Sequence, residues 1–200
     1  MKTAILFRLA PLFALAWGTA CACRADDTRQ FVTDPVSQAV SMSVNGKTCW
    51  TYVPQSKEGK PYFHPLTIPG TGDVLTSFRP PDHNWHLGFW FSWKFINGVN
   101  FWEPDTNAAT RVVSQTVTPS EDKTFRTEAV LAYLAKGKEV VRENRTVRVV
   151  TQTNGTYAIE WDSTFTAQDM EAVFDCTPSK RGKDGHWASG GYAGLMWRFT

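Results

Sequence analysis

Three Asn-Gly dipeptides, at positions 45–46, 97–98 and 154–155, divide this chain into short runs that resemble strands. Asn-Gly tolerates the positive φ angles that a type I′ turn requires, so it is a strong signal for a two-residue hairpin. Lys136-Gly137 predicts a fourth turn of this kind. No window of useful length repeats its apolar residues every 3.6 positions, as a helix would. The sequence therefore predicts an all-β fold, an antiparallel β-sandwich.

The pattern between these turns gives the approximate bounds of the strands. The predicted strands are 37–44, 47–53, 61–67, 73–78, 86–96, 99–103, 110–118, 123–135, 138–152, 156–167, 170–175 and 190–199. In 156–167, apolar and polar residues alternate, which is typical of a strand with one buried face. In 138–152, charged residues fall on both faces, which predicts a bulge or an edge strand.

The N-terminal residues have the pattern of an export signal. Lys2 and Arg8 precede the short apolar run 9–17, and small residues follow it. This order predicts a signal peptide over residues 1–25, too short to span a bilayer as a helix, and a periplasmic or extracellular protein. Cys21 and Cys23 leave a lipoprotein as the alternative.

After the signal, the sequence predicts a linker or N-terminal arm over 26–36 and one β-sandwich domain over 37–200. Because 190–199 reads as a strand entering the core with nothing after it to cap it, we expect the domain to be incomplete at its C-terminus. No further segment is long and apolar enough to span a membrane as a helix.

Charge and composition narrow the classes of function. Loss of Lys2, Arg8 and Arg24 with the signal changes the net charge from +2 to −1, so the sequence shows no basic surface for nucleic acid. Nine tryptophans accompany 13 phenylalanines and 5 tyrosines. Such aromatic enrichment is typical of a sheet core and also of sugar recognition, in which rings stack on the C–H faces of pyranoses.

Two cysteines remain after the predicted signal, Cys49 and Cys176. They form either one disulfide, as an oxidising compartment would favour, or two separate thiols, and the sequence leaves both interpretations open. Their number excludes a zinc site made of paired cysteines.

The segment from Pro80 to Pro104 carries most of the residues with distinctive chemistry. Alternation along 86–96 places one apolar set on a single face: Leu87, Phe89, Phe91, Trp93 and Phe95. The opposite face holds His86, Gly88, Trp90, Ser92 and Lys94. Period-two geometry predicts that the first set is buried and that the second is open to a ligand, with Gly88 as an open floor.

Asp82, His83 and His86 are the candidate catalytic residues. An imidazole can act as general acid or base near neutral pH, and a neighbouring carboxylate can orient it. The interpretation that competes with this is a turn capped by Asp82 with histidines at polar rim positions. The carboxylates Glu103, Asp105, Glu160 and Asp175 are weaker candidates for a catalytic partner.

Several aromatic and imidazole side chains are candidate substrate contacts. They are Trp85, Trp90, Trp102, His64 and His186. His64 lies between prolines, where a structural role competes, and His186 lies in a Gly-rich loop that either covers a ligand or is a surface connection. We expect no cofactor; should a divalent metal bind, His64, His83 and His86 are the expected ligands.

Four segments together resemble one known family. They are Lys60-Pro61-Tyr62-Phe63-His64-Pro65, Asp82-His83-x-x-His86-x-Gly88, Asn97-Gly98-x-x-Phe101-Trp102 and Gly191-Tyr192-x-Gly194-Leu195. They are similar to the PmoA-like family of secreted bacterial proteins, a domain of unknown function also catalogued as methane oxygenase PmoA. The resemblance implies a galactose-mutarotase-like supersandwich, a fold shared by sugar epimerases, lyases and hydrolases. It also implies that members are longer than this chain.

These observations together favour an exported carbohydrate-active enzyme with hydrolase, lyase or epimerase-type acid–base chemistry. In this hypothesis His83 or His86 exchanges a proton with a sugar oxygen, Asp82 orients it, and Trp85 and Trp90 stack on the ring. A non-catalytic carbohydrate-binding module is the first alternative, and a metal-dependent oxygenase, as the family label implies, is the second. A membrane-type methane oxygenase is disfavoured because that subunit consists of transmembrane helices, and none follows the predicted signal.

Overall fold

The computed structural model describes residues 4–9, 28–119, 124–151, 156–191 and 193–200. Within these residues the protein is all-β, with antiparallel sheets packed as a sandwich and no helix, as predicted. No described segment forms a helix that could cross a membrane.

The first layer is a six-stranded sheet in the spatial order β16-β6-β5-β4-β3-β2. Its strands are β2 (Arg29–Thr33), β3 (Val40–Val44), β4 (Lys47–Val53), β5 (Tyr62–Leu66), β6 (Phe89–Ser92) and β16 (Gly194–Trp197). Edge strand β2 lies within the segment that the sequence left as a linker or arm, and it pairs with β3.

The second layer is a five-stranded sheet in the order β1-β12-β11-β10-β9. Its strands are β1 (Ala4–Leu9), β9 (Ala108–Pro119), β10 (Phe125–Ala135), β11 (Lys138–Thr151) and β12 (Tyr157–Ala167). Two small sheets complete the fold: β7 (Phe95–Ile96), β8 (Val99–Asn100) and β13 (Phe174–Asp175) form one, and β14 (Lys180–Arg181) with β15 (Trp187–Ser189) forms the other. Residues 10–27, and with them most of the predicted signal, lie outside the described part.

Three of the four predicted turns form as expected. Asn45-Gly46 joins β3 to β4, Asn97-Gly98 joins β7 to β8, and Lys136-Gly137 joins β10 to β11, each with positive φ at both residues. These are the angles of the type I′ turn that matches the twist of the flanking strands. Asn154-Gly155 lies outside the described residues.

The core lies between the two large sheets and is rich in aromatic side chains. Trp50 of β4 contacts Phe125 of β10 with ring centroids 5.1 Å apart, and Phe89 of β6 contacts Trp161 of β12 at 5.9 Å. Full burial of side chains of this size contributes about 1.5–3 kcal/mol each to the free energy of unfolding. Cys49 and Cys176 are two separate thiols and form no disulfide with each other.

Several predicted strands are shorter or divided in the structure; 99–103 and 170–175, for example, are reduced to β8 and β13. Residues 73–78 pair only through isolated bridges at Val74, Thr76 and Phe78. The predicted strand 86–96 is divided into β6 and β7.

The strand β11 carries the predicted bulge, because its pairing with β10 slips beside Tyr133. The alternative of an edge position was wrong: β11 is paired on both sides, with β10 and β12. Its inward-facing charges, Glu143 and Arg145, form a buried ion pair instead of facing solvent.

Candidate functional site

The candidate site is built on the loop 79–87, which precedes β6 and whose two ends pair with each other. Phe78 and Leu87 pair as an isolated bridge, and the Arg79 N–H donates to the carbonyl of His86 at 2.8 Å. Two successive turns lie between these ends: the His83 N–H donates to Pro80 O, and the His86 N–H donates to His83 O, both at 2.9 Å. This backbone pattern fixes the positions of Asp82, His83 and His86 relative to one another.

The side chain of Arg79 anchors this loop to a neighbouring turn. Its Nη2 donates to both carboxylate oxygens of Glu58, at 2.9 and 2.8 Å, and its Nη1 donates to the carbonyl of Asn84 at 2.9 Å. Hydrogen bonds between charged groups are stronger than those between neutral groups. This contact joins the loop to the turn that contains Glu58.

Asp82 joins two cationic or basic side chains through one oxygen atom. Its Oδ2 accepts from His83 Nδ1 at 2.8 Å and from Arg198 Nη2 at 2.7 Å. The hydrogen bond from His83, followed by that from Arg198, holds the pKa of Asp82 below its usual value, so this carboxylate stays ionised. Because an ionised carboxylate only accepts, His83 donates through Nδ1, and its Nε2 is the ring nitrogen left for another group.

Arg198 was missed by the sequence interpretation. It follows β16 directly, and its backbone pairs on both sides: its N–H donates to Gly88 O and its carbonyl accepts from Ser77, each at 2.8 Å. The contact with Asp82 joins residues 116 positions apart, so it depends on β16 pairing with β6. No local signal in the sequence identifies such a residue.

His86 does not face a ligand, contrary to prediction, because it lies beneath His83. It is only 6% exposed. Its ring centroid is 4.6 Å from that of His83 and 4.9 Å from that of Trp90, and the edges of Trp85 and Trp102 complete its surroundings. Burial, with smaller contributions from the charges of His83 and Arg198, lowers the pKa of His86 to about 4. Its Nδ1 is buried without a hydrogen-bond partner among the described residues.

Trp90 and Gly88 also differ from the prediction. Trp90 is 1% exposed and packs with Leu87 and Trp102 in a small second core, so it cannot stack on a ligand. Leu87 packs in this second core, whereas Phe89 packs in the main core. The two residues separate because Gly88, at φ +88°, interrupts the alternation of side chains along the strand. A Cβ at Gly88 would lie 2.7 Å from the carbonyl oxygen of Phe63, so the glycine admits the neighbouring strand and leaves no open floor.

The other predicted imidazoles lie apart from the His83 ring. His64 stacks on Phe78 with ring centroids 5.1 Å apart, and its Nδ1 is 2.9 Å from Thr76 Oγ1. Burial lowers the pKa of His64. His186 lies in the exposed turn of the β14–β15 hairpin, where its N–H is capped by Asp184 at 3.0 Å. These environments favour local structural roles for His64 and His186.

The predicted metal ligands are not assembled. Among the residues that the structure describes, no three His, Cys, Asp or Glu side chains lie close enough together to hold a metal ion. His64, His83 and His86 therefore do not form a metal centre. The ligand set expected for a metal-dependent oxygenase is not assembled in the described part of the chain.

A cleft of about 400 Å³ adjoins the loop on the side of Trp85. Trp85, which is half-buried, is the aromatic side chain accessible in the cleft, whereas Trp102, also a lining residue, is only 3% exposed. Its polar lining includes Lys60, Glu58, Glu103 and Asp105. Trp85 contacts His83 edge-on at 5.2 Å between ring centroids, so the cleft and the His83 side chain are next to each other.

The structure separates the four carboxylates proposed as catalytic partners. Glu103 lines the cleft, is ion-paired with Lys94 and accepts from Asn100 Nδ2 at 2.6 Å. Burial opposes its ionisation, but these two partners hold the pKa of Glu103 below its usual value. Asp105 also lines the cleft, whereas Glu160 pairs with Arg148 on the outer face of the second sheet and Asp175 accepts from the Cys176 N–H.

Comparison with known proteins gives a family and no described function. Neither a curated protein nor a solved structure matches this chain. A family model matches residues 39–200, a range that contains every side chain of the site and of the cleft described above. The chain belongs to the family of unknown function designated DUF6807.

Proposed function

We propose that this is an exported carbohydrate-active enzyme in which His83 exchanges a proton with a sugar oxygen. Asp82 orients His83, Arg198 fixes Asp82, and Trp85 contacts the sugar beside them. The reaction is of the hydrolase, lyase or epimerase type. This proposal keeps the predicted catalytic group but transfers the chemistry from the His pair to its exposed member.

The observation that carries the proposal is the chain Arg198–Asp82–His83. A carboxylate that accepts from Nδ1 selects the tautomer of the imidazole and directs Nε2 outward, as general acid–base catalysis requires. The His83 side chain is 40% exposed, so the ring is both held in place and accessible. His86 beneath it, neutral because its pKa is near 4, adds no second charge to the site.

The cleft supports a sugar as the ligand. The indole of Trp85 beside several carboxylates offers both a stacking surface and hydroxyl acceptors, the two elements that pyranose recognition uses.

The test compares His83→Gln with Asp34→Asn, a substitution at an exposed turn away from the site. Wild type and variants are assayed for mutarotation of freshly dissolved hexoses and hexuronates and for cleavage of 4-nitrophenyl glycosides. We expect His83→Gln to lose turnover by about a hundredfold or more, the usual contribution of one acid–base group, while Asp34→Asn keeps it. Equal turnover by wild type and His83→Gln on an accepted substrate would contradict the proposal.

A non-catalytic carbohydrate-binding protein is the second candidate, favoured by the depth at which His86 and Trp90 are buried. In that case the cleft alone is functional, and His83 belongs to its rim. Sugar affinity that is unchanged in a His83→Gln, His86→Gln double variant, with no product formed by wild type, would select this candidate.

A further inference from the structure

The cleft contains a buried cation that has no carboxylate of its own. Lys60 is 7% exposed, and the two carboxylates whose charges act on it, Glu58 and Glu103, each have another partner. Glu58 is held by Arg79, and Glu103 is held by Lys94. No ion pair between Lys60 and either carboxylate occurs at 4.0 Å or less in the described part of the chain.

The ammonium of Lys60 is satisfied only in part. It donates to the main-chain carbonyls of Phe101 at 2.6 Å and Trp102 at 3.2 Å. An ammonium has three N–H donors, and these two carbonyls are the acceptors recorded for Lys60 within the described residues. One N–H of the ammonium is thus without an acceptor in the described part of the chain, and Lys60 is one of the residues that line the cleft.

Such an arrangement is unfavourable without a ligand. Burial of a charge costs free energy unless a counter-charge or a full set of hydrogen bonds compensates. Burial accordingly lowers the pKa of Lys60 to about 8, although the more distant charges of Glu58 and Glu103 act in the opposite direction. At neutral pH the amine is still mostly protonated, so a residue that lines the cleft carries a buried positive charge.

We propose that the cleft binds a sugar that carries a carboxylate, and that the ammonium of Lys60 holds this carboxylate while Trp85 contacts the ring. This inference rests on the proposed carbohydrate function and adds the class of substrate: uronic acids or oligosaccharides that contain them. A volume of about 400 Å³ lies in the usual range for small-ligand sites. A carboxylate on Lys60 would supply the counter-charge and the acceptor that the described residues leave out.

The experiment measures by titration calorimetry the affinity for sugars that are alike except for the group at C6. The probes are D-glucuronate with D-glucose, D-galacturonate with D-galactose, and the methyl ester of each uronate. We expect one uronate to bind at least about tenfold more tightly than its neutral partner and its ester, since a hydrogen bond to a charged group contributes that much or more. Lys60→Met should abolish this difference.

The matched control is Lys47→Met, because Lys47 also donates to a main-chain carbonyl, that of Thr71, but is exposed and lies outside the cleft. It should leave the preference unchanged. If Lys60→Met does not fold, the comparison of uronate with methyl ester on wild type decides alone. Equal affinity for uronate, ester and neutral sugar, or no uronate binding at all, would overturn the inference.

Failure of the two proposals can be told apart with His83→Gln in the same titrations. A uronate preference that survives His83→Gln, in a protein that turns over none of these sugars, supports the inference and contradicts the proposed chemistry. Turnover of neutral sugars that is lost in His83→Gln, with no uronate preference, supports the chemistry and contradicts the inference.

Discussion

The buried pair Glu143–Arg145 allows a quantitative prediction about stability. Glu143 is fully buried, and its carboxylate accepts four hydrogen bonds: two from Arg145, at 2.7 and 2.8 Å, one from Tyr133 at 2.7 Å and one from Ser163 at 2.6 Å. The guanidinium also lies over the ring of Trp161, 4.6 Å from its centroid. Every charge in this network therefore depends on a partner that solvent cannot replace.

The substitution Arg145→Met would leave the carboxylate of Glu143 buried, without its counter-charge and with two donors in place of four. Loss of one member of a buried ion pair costs about 3–5 kcal/mol of the free energy of unfolding. For a domain of this size each kcal/mol lowers Tm by about 2–4 °C, so we expect a decrease of about 6–20 °C. Guanidinium chloride unfolding, followed by tryptophan fluorescence, measures the change directly.

Two further variants test the reasoning behind this value. The double variant Glu143→Gln, Arg145→Met buries no charge. Its amide oxygen accepts from one of the Tyr133 and Ser163 hydroxyls and its amide N–H donates to the other, so it should be more stable than Arg145→Met alone. Arg142→Met, which removes a partner of Glu139 from an exposed pair on the same strand, should change stability little. A cost below about 1 kcal/mol for Arg145→Met, or a double variant that is less stable than the single, would refute the argument.

Three other outcomes follow from the site. Gly88→Ala should destabilise the protein far more than Gly98→Ala. Both glycines have positive φ, which costs an alanine about 1–2 kcal/mol, but only at Gly88 would the new Cβ lie against Phe63 O. Equal losses of stability in chemical unfolding would contradict this. The pKa of His86 is lowered from 6.5 to about 4 in the folded protein, so the unfolded chain binds this proton at a higher pH than the folded chain does. The free energy of unfolding should therefore decrease as pH drops from 6.5 towards 4, by about 3 kcal/mol in total. Denaturation at pH 7.5, 5.5 and 4 should show a smaller decrease in His86→Gln than in wild type; the same decrease in both would exclude this role. Asp82→Asn, whose amide can donate to His83 Nδ1, should reverse the ring tautomer and lower turnover while Tm stays close to that of wild type.

The fold class could be predicted because its signals are local. A turn at Asn45-Gly46 or Asn97-Gly98 depends on two adjacent residues, and alternation in β12 reports directly on burial. The edge position proposed for β11 failed because a charge pattern predicts exposure. The pattern does not show that Glu143 and Arg145 pair with each other, and it is this pairing that allows both charges to be buried.

The candidate site was predicted only in part, for reasons that are also physical. Asp82 and His83 are adjacent, so their hydrogen bond could be expected from the sequence. The burial of His86 and Trp90 could not, because Leu87 and Trp102 cover the face of β6 that holds Trp90, and the positive φ at Gly88 that interrupts the alternation places Leu87 there. Arg198 reaches the site through sheet pairing across more than a hundred residues, which periodicity does not encode.

The burial of Lys60 was also hidden from the sequence. A lysine between glycine and proline looks like part of a solvated turn, and most lysines are exposed. Only the packing of this turn against residues 101–110 buries its ammonium at the cleft.

The most direct measurement of the central claim is the long-range ¹H–¹⁵N correlation spectrum of the histidine rings. The account predicts that neutral His83 carries its proton on Nδ1, where Asp82 accepts it, and that the Nε2 resonance of His83 shifts when a sugar that occupies the cleft is added. A proton on Nε2 instead, or an Nε2 resonance that no cleft-binding sugar affects, would contradict the account.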